Sequence, residues 1–333
     1  MAKERICVIG GLGYLGSVVA REALKKDWDV CIYDSVVYEQ NSERMLKEIG
    51  DAKLIIGDTR NTDLLRKSLK EFNPTWVFHF GELSSVYACN HNPVYTREIN
   101  HLASMNVLDI CKELNLKVIY NSSSSVYGTQ KENRLMKEYD ELPEATDYYT
   151  HYKILMEEYI KNKNFLNVIV FRPATVFGLS PRFRIELLPN HFTYMAVSRK
   201  NIPISGLNAY RAAIDIDELV EGYFKVIEKE TWIYRVYNIG SHNKSKKDFA
   251  LGIQEVVNCE ITHAPDMGDL RNLQIDCSRF NEEFNFQPEI QYWESIEKIR
   301  DYLKENLAEI ESNNFREMLN MPLDKWRQIC IGN

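Results

Sequence analysis

Short β-branched runs alternate with helical stretches through the first half of this chain, and that alternation constrains the fold more than any other feature. "RICVIG" (5–10), "DVCIYD" (29–34), "AKLIIGD" (52–58), "TWVFHF" (75–80), "KVIYNS" (117–122) and "NVIVFR" (167–172) read as strands. Each is a near-continuous apolar run, the pattern of strands covered on both faces. Helical patterns lie between them near 14–26, 40–48, 62–72, 94–114 and 149–163. Strand, helix, strand, repeated, predicts an α/β protein with a doubly wound parallel sheet. After residue 178 the rhythm fails. Residues 179–210 read as loops with one helix at "PNHFTYMAVSRK", "RVYNIG" (235–240) as a further strand returning to the sheet, and 291–330 as helical. The expected organisation is a first domain over 1–177 with a returning strand near 210–240. A smaller region follows over 178–209 and 241–300, then a C-terminal helical extension over 301–333.

"VIGGLGYLGS" follows the first strand and opens the first helix. Gly10, Gly13 and Gly16 form GxxGxxG. Such glycines let the backbone turn tightly and approach a pyrophosphate seated at the helix N-terminus. A glycine-rich turn alone is a weak signal; here a strand precedes it, a helix follows, and Asp34 closes the second strand. An acid about 20 residues on is placed for the adenosine ribose hydroxyls. Asp34 repels a 2′-phosphate, and Ser35 and Val36 supply no cation to hold one, so the expected cofactor is NAD rather than NADP.

"DYYTHYKILMEE" (147–158) holds three tyrosines and one lysine within a helical pattern. Only Tyr149 stands four residues before Lys153 and shares its helix face. A phenol beside a fixed ammonium is a potential base; standing alone, the same pair reads more readily as a packed tyrosine and a solvated lysine.

The 333-residue chain carries 41 basic and 48 acidic side chains, a net charge of −7, which argues against nucleic acid as a partner because a phosphate backbone calls for a basic footprint. Seven scattered cysteines without a CxxC pair read as reduced thiols of a cytoplasmic protein. No apolar run is long enough to span a bilayer. The histidines lack the spacing of a zinc site, so no metal is expected.

Taken in order, these motifs resemble the extended short-chain dehydrogenase/reductases that act on nucleotide sugars, the NAD-dependent epimerase/dehydratase type, over roughly residues 5–300. The pattern includes Asp58 in "GDTRN", the stretch "HFGELSS" where the family has His-x-Ala-Ala, Asn100 in the next helix, the serine run of "SSSSVYG", and Tyr149-x-x-x-Lys153. The resemblance implies a Rossmann-type fold with a smaller C-terminal substrate-binding region. It implies cofactor contacts from Gly10, Gly13, Tyr14, Leu15, Gly16, Asp34, Asp58, Thr59, Gly81, Asn100, Tyr149 and Lys153. It also makes Tyr149 the catalytic base, Lys153 its partner and the holder of the nicotinamide ribose, and Ser123 the residue that orients the substrate hydroxyl. A free phenol titrates near 10, so a base at neutrality needs about 4 kcal/mol of help, which an adjacent ammonium and a cationic nicotinamide both supply.

Family dehydratases carry an Asp-Glu pair where this chain has Ser124 and Ser125. The run is therefore similar to that of UDP-glucose 4-epimerases or of simple dehydrogenases such as the GDP-heptose 4-dehydrogenases. The implied reaction is oxidation at C4 of a nucleotide-diphosphate sugar, with the 4-keto product either released or reduced again on its other face, as in surface-polysaccharide sugar biosynthesis. Substrate contacts implied are Ser124, Thr175, Asn190, Arg211, Asp269 and Arg271; Asp266, where the epimerases often have arginine, leaves the nucleotide base open. Glu82 stands where the family usually has alanine, and two readings of it are even: a surface-loop acid, or a replacement base for elimination. A non-catalytic NAD-binding sensor is a further alternative. A homodimer or tetramer is implied, paired through the helices near 94–114 and 149–163.

Overall fold

The computed structural model describes residues 3–37, 42–130, 133–264 and 271–312. The chain divides into two compact units, the first built from residues up to 122 and 144–171, the second from 123–143 and 172–312 among those described.

The first unit is the α/β sheet that the alternation predicts. In chain order it contains β1 (Arg5–Ile9), α1 (Tyr14–Lys25), β2 (Asp29–Asp34), α2 (Ser42–Ile49), β3 (Lys53–Ile56), α3 (Thr62–Phe72) and β4 (Trp76–His79). Then come α4 (Val86–His91), α5 (Pro93–Arg97), a π-helical turn (Glu98–Ala103), α6 (Ser104–Glu113) and β5 (Lys117–Asn121). A two-residue strand β6 (Leu135–Met136) belongs to the second unit; α7 (Tyr148–Asn162) and β7 (Val168–Pro173) complete the first. The strands run parallel in the order β7-β5-β4-β1-β2-β3. The inner strands are almost wholly buried, whereas the edge strand β3 leaves Ile56 exposed. Each fully buried Val, Ile or Phe of that centre contributes about 1.5–3 kcal/mol, which makes the strand ends a stiff platform.

The order places the site. From β1 the chain builds outward through β2 and β3, then crosses back to β4 on the other side of β1. The carboxyl ends of β1 and β4 therefore flank the point where winding reverses, where such sheets bind ligands. The helix expected over 94–114 is one continuous helical stretch interrupted by the π turn at Glu98–Ala103. Such turns recur at functional sites.

The second unit holds the sheet 242–245, 210–215, 175–177 and the parallel pair 201–204 with 260–263. Its core gathers Phe177, Phe192, Ile202, Phe249, Tyr292 and Ile296. The helix at Leu188–Arg199 and the strand at Val236–Ile239 fall where the sequence predicts them; the last described helix runs Tyr292–Ser312, and the remainder of the expected C-terminal extension lies outside the described residues. No helix of the described residues is long and apolar enough to cross a membrane.

Candidate active site

A cavity opens at the reversal point of the first unit, lined by Gly10, Leu12 and Gly13 after β1, Asp34 and Ser35 after β2, Asp58 and Thr59 after β3, and Gly81, Glu82 and Leu83 after β4. The glycine turn fits a pyrophosphate on steric grounds. Gly10 has φ +78, and a Cβ there would stand 2.7 Å from the backbone of Gly81; a Cβ on Gly16 would stand 2.2 Å from the Gly10 carbonyl oxygen. No side chain caps α1 and its first turn carries no acid, so its N-terminus, where Tyr14 is buried and Leu15 half-buried, keeps the positive end of the helix dipole for an anion.

Asp34 is fixed by backbone. Its Oδ2 accepts the Leu12 N–H at 2.9 Å and its Oδ1 the Val36 N–H at 2.8 Å. Val36 adopts φ 51, unusual for a β-branched residue. Asp58 is held by Arg60, a residue the sequence reading passed over. The guanidinium reaches both Asp58 oxygens at 2.8–3.1 Å, pairs with Glu98 at 2.8 Å, and lies 5.4 Å from the Tyr95 ring centre.

At the β4 end Asn100, brought round on the π turn, clamps the loop. Its amide accepts the Leu83 N–H and donates to the Leu83 carbonyl, both at 2.8 Å. That loop carries Glu82, whose side chain is 3% exposed. The surface-acid reading of Glu82 is therefore wrong. The carboxylate is an ion-pair partner of the Lys153 ammonium through Oε2, while Oε1 accepts from Ser104 Oγ at 2.7 Å and from Tyr120 OH at 3.1 Å. Behind Ser104 lies His79, its Nε2 at 2.9 Å from Ser104 Oγ and its Nδ1 without a partner. Burial pulls His79 down to about 4 against the opposing pull of Glu82, so it is neutral. Burial also depresses Lys153, but Glu82 and Tyr149 outweigh it and its titration rises above the ordinary value.

The structure separates the three tyrosines. Aspartate 147 caps α7 through the Thr150 N–H at 2.8 Å. Tyr149 packs against Leu83, Cys89, Tyr95 and Ile99, with the Lys153 ammonium 5.7 Å from its ring centre. Tyr148 is 43% exposed. Tyr152 is buried in a stack with His101 and Tyr148. The lysine has a second anchor, the Asn121 carbonyl at the end of β5, and lies 5.0 Å from the Tyr120 ring centre. Sequence reasoning missed Ser104 and Tyr120; their one signal was a polar group on the apolar face of its helix or strand.

In the second unit Ser123 Oγ accepts the Ser125 N–H at 3.1 Å, opening a 3₁₀ turn in which Ser124 and Ser125 are buried. Thr175 is half-buried on its strand. Asn190 is buried, its amide donating to the Arg184 carbonyl at 2.8 Å and accepting the Gly178 N–H at 3.0 Å. Arg211 is buried and donates to the Tyr210 carbonyl at 2.8 Å. Arg271 is half-buried. Asp269, like Asp266, lies outside the described residues.

The sequence model of the NAD dependent epimerase/dehydratase family matches residues 6–240. CDP-paratose 2-epimerase of Salmonella typhi is 22% identical, over 90% of this chain and 98% of its own length. A putative UDP-glucose 4-epimerase of Methanocaldococcus jannaschii is 24% identical over 90% and 99%. Among solved structures, the UDP-glucose 4-epimerase of Bifidobacterium longum, in complex with NAD+ and UDP, aligns with TM-score 0.78 at 22% identity, over 91% of this chain and 99% of its own.

Proposed function

This chain belongs to the NAD-dependent epimerase/dehydratase family, and we propose that within it the protein oxidises C4 of a nucleotide-diphosphate hexose or heptose, as a 4-dehydrogenase or 4-epimerase serving surface-polysaccharide assembly. The observation that carries this reading is Tyr149 facing Lys153 on α7, both tied to the cavity loop through Leu83 and Glu82. Bound NAD supplies the hydride acceptor. Tyr149 removes the C4 hydroxyl proton, Lys153 stabilises the developing phenolate and holds the nicotinamide ribose, and Ser123 orients the hydroxyl. Ser124, Thr175, Asn190, Arg211, Asp269 and Arg271 are assigned to the sugar nucleotide, arginine because its fork matches phosphate oxygens.

Elimination finds less support. Serines stand at 124 and 125, and the Glu82 carboxylate is engaged by Lys153, Ser104 and Tyr120. A sensor without catalysis has no use for a Tyr-Lys pair set in this way. The test is to incubate purified protein with GDP- and UDP-hexoses and heptoses, recording product mass and NADH absorbance. Loss of two hydrogens with NADH formation identifies the dehydrogenase, an isomer of unchanged mass the epimerase; loss of water, or no reaction with any of them, refutes the proposal. Assembly is part of the same reading. Leu108 is buried against its own unit, while Leu102 is exposed and Met105, Ile154 and Leu155 are half-buried. Sedimentation is expected to give the mass of two or four chains at micromolar concentration, and a single-chain mass contradicts it.

A further inference from the structure

We infer that Glu82 is a positioning residue that fixes the Lys153 ammonium and offsets part of its charge beside the nicotinamide, so that the bound cofactor is held further toward its oxidised form than a lone ammonium would leave it. This rests on the assignment of Tyr149 and Lys153 as the hydride-transfer pair.

The cavity has a direction. Asp34 marks the end for the adenosine ribose and the glycine turn lies under the pyrophosphate, which leaves the β4 end, lined by Gly81, Glu82 and Leu83, for the nicotinamide. An ammonium has three N–H donors and no acceptor. Two donors of Lys153 are spent on Glu82 and on the Asn121 carbonyl, leaving one for a ribose hydroxyl. The acid is itself held from two further sides, by Ser104 from α6 and Tyr120 from β5, and Ser104 is backed by His79 from β4. Three separate elements thus converge on one carboxylate and a fourth backs one of them, the arrangement of a group held in a fixed place.

The charge balance follows from the neighbours. The titratable groups around the pair are His79, Cys89, Tyr120 and Tyr149, with Asp147 and Glu157 acting from farther off on Cys89 and Tyr120. Burial keeps His79 low at about 4, lifts the Cys89 thiol to about 12, and lifts the Tyr120 phenol well above its ordinary value. These three are uncharged near neutrality, so Glu82 and Lys153, with Tyr149 as the proposed base, set the local field. A lone ammonium there would oppose the cationic ring of NAD and leave NADH untouched; the paired carboxylate reduces that bias. In a buried site such a field is weakly screened.

The ratio of the dissociation constants, Kd(NAD)/Kd(NADH), reads this out without any sugar. Calorimetric titration of cofactor-stripped full-length protein is expected to show Glu82→Gln raising the ratio about tenfold, ~1.4 kcal/mol. Lys153→Met, which removes the other member of the pair, is expected to move the ratio in the opposite direction. Ser104→Ala keeps both charges and is expected to leave the ratio within about twofold. A Glu82→Gln ratio within about twofold of wild type overturns the inference; so do shifts of the same sign in the Glu82 and Lys153 variants, or an equal shift from Ser104→Ala, which marks a merely structural role. Where Glu82→Gln does not fold, Glu82→Ala and the Lys153 variant decide on the same criterion. Failure of the C4 reading shows instead as absent turnover of sugar nucleotides, with the cofactor ratios intact.

Discussion

The two ends of the cavity both hold a carboxylate, and they hold it by different means. Asp34 is gripped by backbone N–H groups, that of Leu12 in the turn after β1 and that of Val36 in the turn after its own strand. Glu82 is gripped by side chains from α7, α6 and β5. A backbone grip comes with the fold and asks nothing of neighbouring side chains. A side-chain grip leaves the acid buried with its partner, where each charge depends on the other. The adenosine end is therefore expected to tolerate substitution, and the hydride end to fail steeply in both stability and chemistry.

The steepest failure is expected at Tyr149. Tyr149→Phe keeps the packing on Leu83, Cys89, Tyr95 and Ile99 and removes the proton acceptor. Single-turnover NADH formation is expected to fall ~10²–10⁴-fold with NAD binding retained. Tyr148→Phe and Tyr152→Phe are expected to stay close to wild type, since one phenol is exposed and the other ring stacks on His101. A Tyr149→Phe rate within about threefold of wild type ends the assignment.

Next comes Lys153. Lys153→Met strands the Glu82 carboxylate with Ser104 and Tyr120 as its remaining donors, and breaking a buried pair from one side costs about 3–5 kcal/mol. Denaturant midpoints are expected to drop accordingly, and the double variant with Glu82→Leu to recover part of the loss, because an apolar pair strands no charge. Equal midpoints for wild type and Lys153→Met erase the difference between the two ends.

That difference also explains what the sequence made legible. The strands β1, β2, β4, β5 and β7 were readable because burial on both faces leaves a continuous apolar run, and Gly10, Gly16 and Asp34 because they keep a fixed spacing along the chain around the first strand, helix and second strand. Tyr149 could be told from Tyr148 and Tyr152 because a helix fixes which residues share a face. The network of Glu82, Ser104, Tyr120 and His79 was not readable. It joins residues 82, 104, 120 and 153 through tertiary packing, and a glutamate in "HFGELSS" looks the same in sequence whether its loop faces water or an ammonium. The same limit hid Arg60, whose pairing with Glu98 depends on where α5 and the π turn place that acid. The π turn itself was not predicted; residues 94–114 read as one helix.

The smallest expected effect is at Asp34, and it sharpens the comparison from the other side. The wild-type protein is expected to bind NAD at least about tenfold tighter than NADP, ~1.4 kcal/mol, because in the proposed reading the Asp34 carboxylate accepts from ribose hydroxyls and repels a 2′-phosphate. Arg60, in the turn after β3, is already engaged by Asp58 and Glu98. Asp34→Ala removes two hydrogen bonds to backbone N–H groups at a half-exposed position, where water replaces the lost acceptor, so folding stability is expected to fall by about 1–2 kcal/mol or less. The cofactor preference narrows mainly through weaker NAD binding. Calorimetry with both cofactors on wild type and variant measures this directly. Equal wild-type affinities for NAD and NADP refute the role of Asp34. A stability loss in Asp34→Ala as large as that of Lys153→Met would show that a backbone-held acid is no more tolerant than a side-chain-held one.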